Sequence, residues 1–78
     1  MRRIPGTAGY LTALGVAVRR HRVAKGMSQE EFALAVEIDR TYLSGIERGL
    51  RNPTVGTLLR LTKVLGTTPA ALLKAAEK

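Results

Sequence analysis

Apolar side chains recur along this chain at intervals of three and four residues, and the stretches carrying them are separated by glycine, proline or a short polar residue. Leu11, Leu14 and Val18 share one stripe, which predicts a first helix over residues 11–25 with Gly26 as its stop. Ser28 has the character of an N-cap, and Glu31, three residues on, completes a capping box for a second helix whose inner face is Phe32, Ala33 and Val36. Asp39 caps a third helix that points Leu43 and Ile46 inward and ends at Gly49. A fourth begins near Pro53-Thr54, carries Val55, Leu58, Leu59, Thr62 and Leu65, and stops at Gly66. Thr68 and Pro69 open a fifth, with Leu72, Leu73 and Ala76 as its apolar positions. No alternating strand pattern, repeat or low-complexity tract interrupts this series. The expectation is an all-α domain, a compact five-helix bundle over residues 10–78. It is preceded by a flexible basic arm, residues 1–9, with Arg2 and Arg3 and only Ile4 to bury.

The second and third helices are joined by Glu37-Ile38-Asp39 alone, so they must cross steeply rather than run back antiparallel. A steep, close crossing requires a small residue at the contact, and Ala33 supplies it. Ile38 plugs the turn while Leu43 and Ile46 press on Phe32 and Val36. The residues left outward on the third helix are Arg40, Thr41, Ser44 and Gly45, which share one face. An arginine there can donate two hydrogen bonds to guanine, hydroxyls can bond base edges or meet a thymine methyl, and a glycine permits close approach. These four are the expected base contacts in a duplex major groove, the geometry of a helix-turn-helix. Gln29, beside the free amides that open the second helix, is an expected phosphate partner. So are Arg48 and Arg51, which flank the exit of the third helix. Tyr42 is assigned to the phosphate set as well, although packing against the domain is an equal reading. Asn52 reads as a turn residue and cap for the fourth helix. Arg22 and Glu47 each follow an apolar position by four residues, on faces that converge. Opposite charges so placed are best explained as a structural ion pair, since either alone would be costly to bury.

Composition narrows the chemistry. Seventy-eight residues allow one domain, and the formal net charge of +7 favours a polyanionic partner. The first 29 residues hold Arg2, Arg3, Arg19, Arg20, Arg22 and Lys25 and no acid. There is no cysteine, which removes disulfides and thiolate chemistry and fits a cytoplasmic setting. His21 stands alone among arginines, so no metal site is expected. No nucleophile–base set or phosphate loop suggests an enzyme, and no cofactor or small-molecule ligand is implied. Arg2-Arg3 before an apolar run imitates a signal peptide, but Pro5-Gly6 and the cluster Arg19–Arg22 argue against one, and no stretch reaches the length of a membrane span.

The stretch from Val18 to Leu65 resembles the phage-repressor type of helix-turn-helix, the XRE family. The resemblance rests on Arg19-x-x-Arg22, Gly26-x-Ser28-Gln29-Glu30-Glu31, Leu43-x-x-Ile46-Glu47-x-Gly49 and Asn52-Pro53. It implies that Gln29 contacts backbone phosphate, that the first residues of the third helix read bases, and that Arg22 and Glu47 form a buried pair. Asp39 to Arg48 is similar to the controller proteins of restriction–modification systems, homodimeric regulators of their own operons. One departure is Glu37, where many members carry glycine; a left-handed conformation there would strain glutamate. The expected function is a sequence-specific regulator of transcription binding double-stranded DNA as a homodimer on a near-palindromic operator. The expected dimer surface is Leu61, Val64, Leu72 and Leu73. The alternative is an antitoxin that binds a toxin protein as well as its own operator.

Overall fold

The computed structural model describes residues 7–77, all-α, with no strand among them. Its helices are α1 (Thr7–Ala24), α2 (Gln29–Val36), α3 (Arg40–Glu47), α4 (Val55–Leu65) and α5 (Pro69–Ala76). Four of them end alike, in a left-handed residue followed by backbone hydrogen bonds that return to the last turn. After α3, Gly49 adopts φ +75°, its N–H donates to the Ile46 carbonyl at 3.1 Å, and the Leu50 N–H donates to that of Gly45 at 2.8 Å. Gly26 and Gly66 do the same for α1 and α4. After α2 the left-handed residue is Glu37, at φ 65° and ψ 46°, with the Ile38 N–H donating to the Ala33 carbonyl at 3.0 Å. Glu37 is the one non-glycine with positive φ among the described residues. The turn keeps the geometry a glycine would take and holds glutamate in it against its steric preference.

The helix starts follow their side chains. Ser28 Oγ accepts from the Glu31 N–H at 3.0 Å and Glu31 Oε1 accepts from the Ser28 N–H at 2.8 Å, the reciprocal box expected for α2. The Ser28 N–H on Oε1 favours the charged carboxylate and, with the Ser28 side chain beside it, holds the Glu31 pKa below its ordinary value. Asp39 Oδ1 accepts from the Thr41 N–H at 2.7 Å, and Thr68 Oγ1 from the Ala71 N–H at 3.1 Å. The cap of α4 is Thr54, whose Oγ1 accepts from the Thr57 N–H at 3.1 Å, so the role given to Asn52 passes to the residue two further on. Asn52 is exposed in the connection.

α1 packs along α5 and α3, α2 against α3 and α4, and α4 meets α5. Val18, Phe32, Leu43, Ile46, Leu61 and Leu72 are the fully buried apolar centre, each worth about 1.5–3 kcal/mol of transfer free energy. Thr62 joins them because its hydroxyl donates to the Leu58 carbonyl at 2.8 Å and leaves nothing unpaired. Gly15 lets α1 lie directly on the end of α3. A Cβ there would stand 2.5 Å from the Glu47 carbonyl oxygen and collide with that of Ile46.

Two expectations are corrected by this packing. α1 starts at Thr7 rather than Leu11, so residues 7–9 are helical; residues 1–6 of the expected arm lie outside the described residues. The early start has a tertiary anchor, since the Tyr10 hydroxyl donates to the Leu73 carbonyl of α5 at 3.0 Å. Leu61 and Leu72, expected at a dimer surface, are core residues of a single subunit, and Val64 and Leu73 pack against that core. α4 turns out instead with Val55 and Leu59 exposed. No helix among the described residues is long and apolar enough to cross a membrane.

Candidate nucleic-acid interface

The turn of Glu37, Ile38 and Asp39 sets α3 across α2 with Leu43 and Ile46 buried beneath it, and this fixes what α3 shows to solvent. Arg40, Thr41 and Arg48 are exposed and Ser44 is half-buried, on the arc that remains outside. The arc begins at the helix N-terminus, where Asp39 already satisfies the Thr41 N–H. It therefore offers one guanidinium and two hydroxyls along an eight-residue helix, with a second guanidinium at its C-cap.

Gly45 departs from its expected place. It is buried, and a Cβ added to it would lie 2.6 Å from Cγ of Arg51. The glycine makes a notch for the aliphatic stem of Arg51, which returns over α3 after the Gly49 turn. The Arg51 guanidinium then sits 5.5 Å from the centre of the Tyr42 ring, a cation–π contact worth about 0.5–1 kcal/mol at an exposed site. Tyr42 is half-buried and packed against the core. Its ring thus shelves Arg51, and of the two roles open to it in the sequence, packing is the one visible here. Arg51 is exposed, with its stem against Gly45 of α3 and its guanidinium over Tyr42.

Beneath the arc lies the ion pair. Arg22 Nε donates to Glu47 Oε2 at 2.7 Å and Nη2 donates to Oε1 at 3.0 Å, a two-pronged contact between buried side chains. Arg22 Nη1 donates to the Met27 carbonyl at 2.7 Å, in the loop between α1 and α2. The hydrogen bonds that Arg22 donates to Glu47 raise the Arg22 pKa above its ordinary value. Every buried side-chain polar atom among the described residues has a partner, as a buried charge pair requires.

Gln29 belongs to this network as well. Its Nε2 donates to Glu47 Oε1 at 3.0 Å, so the carboxylate binds α1, the loop after it and the first turn of α2 to the last turn of α3. Nothing in the local sequence pattern signals this bond, because the two residues are 18 apart and the contact exists only once α2 and α3 are crossed. The amide keeps a second N–H and its carbonyl oxygen for an outside partner, with its plane set by Glu47.

Comparison with known proteins agrees with this geometry. Residues 18–72 match the model of the helix-turn-helix family. The control protein C.BamHI of Bacillus amyloliquefaciens is 43% identical over 60 residues, spanning 76% of this chain and 74% of that protein. Among solved structures, the restriction–modification controller protein C.AhdI from Aeromonas hydrophila superposes with a TM-score of 0.77 at 40% identity, covering 80% of this chain and 94% of that one. The clp gene regulator ClgR from Corynebacterium glutamicum gives 0.82 at 34% identity, covering 86% and 71%. These relatives are named as control proteins and regulators, and they lend no support to the antitoxin alternative. The chain belongs to the helix-turn-helix family of DNA-binding transcriptional regulators.

Proposed function

We propose that this regulator acts as a homodimer on a near-palindromic operator in the cytoplasm, each subunit laying α3 in the major groove of one half-site of double-stranded DNA. The observation that carries the reading is the outer arc of α3: small hydroxyl residues behind one leading arginine, with cations at its far end and side. A merely solvated helix face would more often carry lysine and glutamate there. Arg40 takes a guanine by two hydrogen bonds, and Thr41 and Ser44 take neighbouring base edges. Gln29, Arg48 and Arg51 hold phosphates on either side, which sets register and supplies salt-dependent affinity. Tyr42 contributes by holding Arg51, and Gly45 by making room for it. By likeness to the control proteins, the operon concerned is that of a restriction–modification system.

Selection of bound sequences from a random duplex pool tests this. The expected winner has two inverted half-sites with centres about 34 Å apart along the duplex. Recovery of a single non-repeated motif, or of no motif at moderate salt, would refute it.

A further inference from the structure

We infer that the second copy docks on an uncharged apolar patch made by Val55 and Leu59 of α4, with Leu50 at the start of the connection leading to it; this rests on the homodimer reading above. Val55 is 72% exposed, Leu59 54% and Leu50 64%, high values for large aliphatic side chains on a subunit that buries Leu61 and Leu72 completely. Val55 and Leu59 are one helical turn apart and share a face. Leu50 is pinned by its N–H bond to the Gly45 carbonyl, so it is held out by the ordered end of α3 rather than by a loose loop.

Charge decides among the exposed apolar sites. In a twofold pair each subunit offers the same surface to the other, so a charged residue near the axis confronts its own copy. Val16 and Val23 enclose the exposed Arg19 and Arg20 on α1, and pairing there would bring four guanidinium groups together in a chain of net charge +7. Leu34 lies between the exposed Glu30, one turn before it on α2, and the exposed Glu37 that caps the helix. Pairing there would oppose carboxylates. Around Val55 and Leu59 the cations turn elsewhere. Arg60 and Lys63 line a groove with Ala35, Val36 and Glu37 towards α2. Arg51 is drawn over Gly45 and Tyr42. Between Leu50 and Leu59 there is no other charged residue.

The placement also leaves the DNA-reading residues free. Arg40, Thr41 and Ser44 occupy the first part of α3, and the patch begins beyond its last turn.

The test is sedimentation equilibrium of the full chain across a range of concentrations, with far-UV circular dichroism to follow the helices. Leu59→Lys, and independently Val55→Lys, are expected to raise the dimer dissociation constant at least about 100-fold, because each puts a cation against its own copy. Val16→Lys, at a valine of α1 that is 43% exposed and away from the patch, is expected to leave it within about threefold. A wild-type dimer that persists unchanged in both the Leu59 and Val55 variants overturns the patch and leaves the homodimer reading standing. A wild-type chain that stays monomeric alone and on its selected DNA overturns both. Equal loss of dimer in the Val16 variant also overturns the patch.

Discussion

Replacing Glu47 by alanine removes the one carboxylate that Arg22 and Gln29 share, and it leaves the Arg22 guanidinium buried with only the Met27 carbonyl as partner. Breaking a buried pair from one side typically costs about 3–5 kcal/mol, most of it the penalty of the orphaned charge. A domain of this size has a total stability of about 4–12 kcal/mol, so the loss takes about a quarter of it or more. With about 4–8 °C of Tm per kcal/mol for a small domain, the melting temperature falls by at least about 12 °C. The assay is urea unfolding followed by circular dichroism at one fixed protein concentration, since dimerisation would otherwise enter the apparent stability. The paired variant Arg22→Met with Glu47→Leu removes both charges and fills the space, and it is expected to recover most of the loss. It should nonetheless bind DNA more weakly on all sequences alike, because Gln29 has lost the oxygen that sets its amide. A cost below about 1 kcal/mol for Glu47→Ala, or a double variant no more stable than the single one, would refute the reasoning.

Other outcomes follow from the same geometry. Arg40→Ala should cost about 1–3 kcal/mol on the selected operator and relax preference at one position per half-site, whereas Arg51→Ala should weaken all sequences alike and reduce the salt slope by about 0.9; competition binding at several salt concentrations separates the two. Glu37→Gly should stabilise the domain by about 0.5–1 kcal/mol in chemical denaturation, the relief of left-handed strain exceeding the added chain entropy. Gly15→Ala should destabilise it by about 1–3 kcal/mol, because the new methyl meets backbone carbonyls of α3 and the helices must part. Glu31 has a lowered folded-state pKa, so its contribution is present above its ordinary value of 4.5 and is lost as pH falls through the folded value; Glu31→Gln should flatten that part of the acid unfolding profile.

Much of this molecule could be read in one dimension because its devices are local. A capping box needs four consecutive residues, a left-handed stop needs one glycine after an apolar stripe, and Phe32, Val36, Leu43 and Ile46 announce their inward faces by spacing alone. The ion pair was legible too, since a lone charge on each of two converging apolar faces demands a partner of opposite sign. Even the strain at Glu37 could be anticipated from the three-residue turn and its departure from glycine. What periodicity could not supply was which of several apolar residues a helix with more than one neighbour would bury. Leu61 and Leu72 went to the core and Val55 and Leu59 to the surface because α4 meets both α2 and α5, a fact of assembly rather than of pattern. Likewise Gly45 looked outward until Arg51 folded back over it, and Gln29 looked free until α3 brought Glu47 beneath it. Local hydrogen bonds and helical period are properties of neighbours along the chain. The notch, the shelf and the shared carboxylate join residues many positions apart, and they exist only where the helices cross.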